Sequence, residues 1–339
     1  MEEKAIEDQF AEFAEGFQRL KKEIQKAIVG YDDLITDVLT AMFCQGHVLL
    51  EGVPGLGKTY LVQVVSRVMG LEPGRVQCTP DLMPADILGT QIVNEDEHGR
   101  KIFHFEKGPV FRNLLLVDEI NRATPKTQAA LLEVMQECAV TSGGQTYRLP
   151  SPFFVLATQN PMEMEGTYPL PEAQLDRFLF KVRALFPDRE ALVEISRRTT
   201  GPAQANLETV LTSEEVLRFQ RIVSEVGVAD PVAAYGADLV LATHPHKGQE
   251  ATDLRRYVAY GASPRGLQAL VRGGKVRALL DGRAAVAFED LRDVALAALR
   301  HRVILNFEGE AEGIDVDTLL RGLIDRTPEA GDGRLYRIS

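Results

Sequence analysis

Residues 52–59 read Gly52-Val53-Pro54-Gly55-Leu56-Gly57-Lys58-Thr59, a complete G-x-x-x-x-G-K-[ST] phosphate loop. Its flanks suit the motif. His47-Val48-Leu49-Leu50-Glu51 is a short apolar strand candidate leading in, and the spacing predicts a helix over 58–69 leading out. Glycines at these positions let backbone N–H groups close around a polyphosphate, and the helix N-terminus that follows favours negative charge. In such a loop Lys58 reaches the β- and γ-phosphates, and the Thr59 hydroxyl ligates Mg2+.

Outward from the loop, short apolar runs alternate with helical patterns. Strands are predicted at Arg75–Thr79, Leu114–Asp118, Phe153–Gln159 and Leu179–Ala184. Leu114-Leu115-Leu116-Val117 is apolar throughout, as suits a strand buried on both faces. Thr124-Pro125 supplies an N-cap and a first-turn proline for a helix to about Cys138. This alternation predicts an α/β fold, a mainly parallel sheet with helices on both faces. Two stretches break it. Thr90–Phe105 alternates apolar and polar residues around Asp96-Glu97-His98-Gly99, and Ala139–Leu149 carries Ser142-Gly143-Gly144; both read as hairpins inserted into the scaffold. Before the loop, Phe10, Phe13, Phe17, Leu20, Ile24 and Ile28 form one helical stripe that predicts packing on the main domain. After about Gly201 the patterns turn helical, opening with the capping box Thr212-x-x-Glu215, and predict a smaller all-α second domain. The expected division is an N-terminal helix and linker over 1–30, an α/β domain over 31–201 and a helical domain with a C-terminal tail over 202–339.

The 339 residues, 45% hydrophobic and 26% charged, have ordinary globular composition. A net charge of −11 weakens the case for broad nucleic-acid or anionic-membrane binding. Cys44, Cys78 and Cys138 lack metal-ligand spacing and read as reduced thiols. No stretch reaches the ~18 apolar residues of a membrane span. The beginning, Met-Glu-Glu-Lys, has no apolar signal core, so the expected location is cytoplasmic. His244-Pro245-His246 reads as a solvated loop rather than a metal site.

Leu116-Val117-Asp118-Glu119 ends an apolar strand in two acids about 60 residues beyond the phosphate loop. A carboxylate pair there completes a nucleotide-hydrolysing site, with Asp118 holding Mg2+ and Glu119 polarising the attacking water as general base.

Further motifs carry a resemblance. They are Phe105-Glu106-Lys107-Gly108-Pro109-Val110-Phe111, Asp118-Glu119-Ile120-Asn121-Arg122-Ala123, Ala157-Thr158-Gln159-Asn160-Pro161, the run from Glu165 through Leu175-Asp176-Arg177-Phe178, and Gly261-Ala262-Ser263-Pro264-Arg265-Gly266. With the phosphate loop they resemble, in order and spacing over roughly residues 20–305, the MoxR family of AAA+ ATPases, in the helix-2-insert group. The resemblance implies an AAA+ nucleotide-binding core with a small all-α lid, ATP and Mg2+ as ligands, and ATP hydrolysis. It implies that Asn160 is sensor 1, that Arg177 is an arginine finger reaching a neighbouring subunit's site, and that Arg265 is sensor 2; the sequence does not choose between the chain's own nucleotide and a neighbour's for Arg265. It implies that Ile28, Val29 and Gly30 pack on the base and that the remaining nucleotide contacts come from Gly52, Pro54, Gly55, Leu56, Gly57, Lys58, Thr59 and Tyr60.

The same resemblance implies a homo-oligomeric ring of six subunits that remodels a protein client, with a separate protein carrying a von Willebrand factor A domain as partner. A nucleotide-gated assembly scaffold is the alternative. A DNA motor is disfavoured by charge: 90–108 holds four acids and three bases and 139–149 a single arginine, whereas a nucleic-acid path needs several cations. Phe103, Phe105 and Tyr147 are read either as client contacts or as hairpin packing.

Overall fold

The computed structural model describes residues 2–52, 55, 57–95, 101–161, 166–200, 205–245 and 253–329. Pro54, Leu56, the Asp96–Gly99 hairpin tip, Glu165 and His246 lie outside them. The chain runs through α1 (Glu2–Gln25), α2 (Asp32–Phe43), β1 (Val48–Glu51), α3 (Lys58–Val68), β2 (Pro73–Gln77), α4 (Pro84–Leu88), β3 (Gly89–Glu95), β4 (Lys101–Lys107), β5 (Leu114–Asp118), a 3-10 turn at Ile120–Arg122, α5 (Pro125–Glu137), β6 (Ala139–Ser142), β7 (Gln145–Arg148), β8 (Phe154–Gln159), α6 (Glu172–Leu175), β9 (Phe180–Arg183) and α7 (Arg189–Thr200). A helical segment follows: α8 (Ser213–Glu225), α9 (Asp230–Ala242), α10 (Asp253–Tyr257), α11 (Pro264–Leu280), α12 (Phe288–Leu299), α13 (Phe307–Ala311) and α14 (Val316–Arg326), with β10 (Val258–Tyr260) and β11 (Ile304–Leu305) among them.

The main sheet has the order β2-β5-β8-β1-β9, and every pairing in it is parallel. Its three inner strands are the continuous apolar runs, buried because helices cover both faces. Parallel direction has one consequence that governs the site. All strand C-termini, and so Gly52, Asp118 and Asn160 just at or beyond them, sit at one edge of the sheet.

The predicted stripe of α1 is fully buried, but it does not pack on the sheet domain alone. Phe13 meets Phe43 of α2 and Phe219 of α8, each with ring centroids 5.2 Å apart. A Cβ at Gly16 would lie 2.6 Å from the Phe219 ring, so only glycine allows α1 this close to α8. One apolar cluster therefore runs from one face of the sheet through α1 into the helical segment.

Both predicted hairpins are present. The β3–β4 register runs from Gly89↔Lys107 to Glu95↔Lys101, and β6–β7 turns on Gly143 and Gly144, both at positive φ as a two-residue hairpin turn requires. Phe105 stacks on Tyr147 at 4.4 Å, which joins the hairpins, while Phe103 is 68% exposed. Of the three aromatics, Phe105 and Tyr147 thus serve packing. In the helical segment β10 pairs antiparallel with β11, a short sheet that the helical pattern does not predict because its partners lie far apart in sequence.

His47, just before β1, locks three elements. Its Nδ1 accepts from Val155 N–H at 3.1 Å and its Nε2 donates to the Met135 carbonyl at 3.0 Å. Both nitrogens are satisfied only in the neutral ring, and burial pushes the imidazole down to about 4. The unfolded chain binds this proton at about 6.5. Stability from His47 is therefore full above that value and lost as pH falls toward 4, by on the order of 3 kcal/mol. His47→Gln, which offers one acceptor and one donor and does not titrate, is expected to lose less stability between pH 6.5 and 4.5 than the wild type in urea titrations. Parallel losses would remove His47 as a source of acid sensitivity.

Candidate functional site

The phosphate loop joins β1 to α3. Gly55 has φ 86° and Gly57, the residue before α3, φ 73°. Among the described residues a Cβ at either would meet nothing within 4 Å, and the positive φ itself favours glycine there. Gly52 N–H is anchored on the Gln159 carbonyl at 3.2 Å, and Lys58 Nζ donates to the Gly52 carbonyl at 2.9 Å. Burial draws the Lys58 ammonium below its usual range, against the opposing pull of the nearby Asp118 and Glu119 carboxylates. The loop lysine and the acid pair thus share one electrostatic environment at the C-terminal edge of the sheet. Thr59 is half-buried and Tyr60 is exposed.

Asp118 ends β5. Its Oδ1 accepts from the Thr158 hydroxyl at 2.7 Å and its Oδ2 from Arg75 Nη2 at 3.1 Å. Glu119 adopts φ 57°, ψ 52°, left-handed backbone that is uncommon for a non-glycine residue, and its N–H donates to the Thr158 hydroxyl at 2.9 Å. That turn swings the carboxylate toward β2, where Gln77 Nε2 donates to it at 3.0 Å; Arg122 Nη1 adds a contact at 3.4 Å. Arg75 also donates to Gln77 Oε1, at 2.9 Å, so a polar relay joins both acids. Thr158, Arg75 and Gln77 carry no role in the sequence reading. Asn160 lies two residues beyond Thr158, just past β8, and is buried, as is Asn121.

Beside the loop is an apolar cleft of about 490 Å³. Ile28, Val29, Gly55, Gly57, Lys58 and Tyr60 line it. Gly30 does not; its φ of 78° turns the chain, and a Cβ there would lie 2.7 Å from Ala191 Cβ, so its glycine lets α7 approach. Sequence reasoning missed the opposite wall, Ala184, Phe186, Leu192 and Ile195 from β9's end and α7. Arg198 of α7 closes that wall by donating to the Gln25 and Lys26 carbonyls at 2.9 and 2.8 Å.

Arg177 and Arg265 are not brought to this loop. Arg177 precedes β9, at the sheet edge opposite the one that carries Gly52, Asp118 and Asn160. With Arg265, Arg272, Arg302 and His47 it lines a second cleft, of about 170 Å³, that shares no lining residue with the first. Among the described lining residues Asp176 is the sole carboxylate. Ser263 caps α11, its hydroxyl accepting from Arg265 N–H at 3.1 Å, so Arg265 projects from the first turn as expected.

Comparison with known proteins bears on the fold and the family. A family model described as the ATPase family associated with various cellular activities (AAA) matches residues 47–180, and one described as an AAA lid domain matches 250–323. The chain is 43% identical over 302 residues to the protein named Chaperone MoxR1 of Mycobacterium tuberculosis, covering 89% of this chain and 79% of the relative. It is 34% identical over 328 residues to Protein MoxR of Methylorubrum extorquens, covering 91% and 94%. A crystal structure from Cytophaga hutchinsonii, described as a candidate ATPase, superposes with a TM-score of 0.88 at 40% identity, covering 97% of this chain and 99% of that one. The parallel sheet with its phosphate loop, the lid match and these long alignments together establish that the chain belongs to the MoxR family of AAA+ ATPases.

Proposed function

We propose that this chain is an ATP-hydrolysing, ring-forming remodeller of partner proteins, in which each copy's nucleotide is completed by Arg177 and Arg265 of the next copy. The observation that carries this reading is the placement of both arginines at the sheet edge remote from their own phosphate loop. Their cleft has four arginines to one carboxylate, an excess of positive charge that suits a phosphoryl group offered by another copy. On this reading Arg265, like Arg177, acts on a neighbour. Six copies is the number the family resemblance implies.

Within one chain the base of ATP fits the apolar cleft against Ile28 and Val29, and the loop glycines and Lys58 take the phosphates. Thr59 and Asp118 are hard oxygen donors that suit Mg2+. When bound, Mg2+ supplies charge neutralisation at the phosphates. Glu119 takes the proton of the attacking water, and Asn160 orients that water or a phosphate oxygen. Val93, Ile102 and Phe103 stand exposed on the β3–β4 hairpin. Apolar side chains there suit a protein client better than nucleic acid. A separate von Willebrand factor A domain protein is the partner this reading expects, and the cytoplasm its location; no described helix is long and apolar enough to cross a membrane.

Lys58→Ala is expected to weaken ATP binding about 10- to 100-fold, the loss of a charge-assisted contact, measured by fluorescence titration. Arg177→Ala should bind ATP as the wild type does yet lose about 10³-fold in turnover. Wild-type turnover per subunit should rise with protein concentration in step with light scattering. Turnover independent of assembly would mean that each chain completes its own site, and would favour a scaffold in which ring formation rather than hydrolysis matters.

A further inference from the structure

Asp176 precedes Arg177 in the chain, lies beside Arg265 and is four-fifths shielded from solvent. Its two oxygens serve two different elements. Oδ1 accepts from Arg302 Nε at 2.7 Å; Oδ2 accepts from the Ser263 hydroxyl at 2.8 Å and lies 3.9 Å from Arg265 Nη1. The Ser263 hydroxyl has one hydrogen, committed to Asp176, and lone pairs, one of which takes Arg265 N–H. The start of the Arg265 helix therefore hangs from Asp176.

Arg302 does the complementary task on the other side. Only 3% exposed, it donates to the carbonyls of Asp176 at 3.2 Å, Phe178 at 2.8 Å and Leu179 at 3.1 Å, and to that of Ala298. The backbone on both sides of Arg177 is thus held by a lid side chain whose own counter-charge is Asp176. Burial draws the Arg302 guanidinium down, and the Asp176 carboxylate beside it holds it up. Arg265 is 43% exposed, and buried Arg177 Nε has no hydrogen-bond partner among the described residues.

We propose that Asp176 is a positioning residue that fixes Arg177 and Arg265 as one rigid pair, so that a neighbouring copy's nucleotide meets both guanidinium groups at a set spacing. This rests on the reading of those arginines as completing a neighbour's site. An ångström of misplacement at a reacting centre can cost about 10²-fold in rate, so a buried tether of this kind acts on turnover and leaves the chain's own nucleotide cleft alone.

Removing Asp176 outright strands the buried Arg302 cation and risks misfolding. The decisive variant is Ser263→Ala, which keeps the Asp176–Arg302 pair and cuts only the bridge to the Arg265 helix. In the full-length assembled protein it should lower kcat about 10- to 100-fold with ATP affinity changed less than about 2-fold, and Ser263→Thr, which keeps the hydroxyl, should restore kcat. Asp176→Asn should fall at least as far as Ser263→Ala. Mixing separates positioning from folding. Glu119→Gln subunits have a disabled site but intact arginines, so co-assembly with Ser263→Ala or Asp176→Asn subunits should recover turnover above that of either alone. Failure of these mixtures, while Arg177→Ala mixed with Glu119→Gln does recover, would overturn the role of Asp176 alone. Failure of the Arg177→Ala mixture as well would overturn the shared-site reading beneath it. Unchanged kcat in Ser263→Ala, with only a lower Tm, would reduce the contact to a helix cap.

Discussion

Five strands that all point the same way divide the molecule's polar chemistry between two edges. The C-terminal edge gathers the loop at Gly52–Thr59, the acid pair at Asp118 and Glu119, and Asn160. The N-terminal edge holds His47, Arg177 and, across the lid contact, Arg265 and Arg302. β1 has four residues, so roughly 13 Å of strand separates its two ends. No side-chain rotation spans that gap together with its flanking turns. Parallel topology, more than any single residue, sets Arg177 and Arg265 apart from the chain's own phosphate loop, which is what the proposed shared site rests on.

The two parts of the chain are joined by two kinds of contact with different physics. One is apolar: Phe13, Phe43 and Phe219 interlock at 5.2–5.9 Å through the glycine notch at residue 16. The other is ionic. Glu51, the residue before the loop, pairs with Lys181 at 2.6 Å and Arg183 at 3.3 Å; Arg183 pairs with Asp315 at 2.8 Å and Asp317 at 3.2 Å, and Asp317 with Arg300 at 2.9 Å. The edge strand β9 is thereby bound to α12 and α14, and the base of the phosphate loop is linked to the far end of the chain. Several of these groups are largely shielded from solvent, which limits screening by salt. Side-chain packing on both counts makes a small sliding shift of the lid easier than a free hinge swing.

The phosphate loop, the buried strands and the hairpins were legible in the sequence because each is written in contiguous residues: a spaced glycine-lysine-threonine string, apolar runs, alternation around polar and glycine turn residues. The acid pair was legible for the same reason. Arg75, Gln77 and Thr158 were not, because their work depends on which strand lies beside β5, and strand order is set by packing rather than by neighbours in sequence. The wall of the apolar cleft formed by Phe186, Leu192 and Ile195 was missed on similar grounds, since an amphipathic helix does not announce what it faces. β10–β11 pairs residues more than forty positions apart. The motif run that ends in Asp176-Arg177 was visible, but the carboxylate's link to Ser263 and Arg302 needed the lid to be folded back on β9.

If a neighbour's arginines complete each nucleotide, as proposed, the separation of the two edges also fixes the symmetry available to the assembly. A two-fold pair presents the same surface from both partners, and here the two surfaces that must meet are different. On that reading contact is head to tail. Such a contact either closes on itself after a fixed number of copies or grows into an open helical filament. An open chain always has one terminal nucleotide lacking arginines and one terminal pair of arginines lacking a nucleotide, so closure alone lets every copy work. The rotation between successive copies, a property of the proposed interface and not of the fold, would then decide between a machine and a fibre.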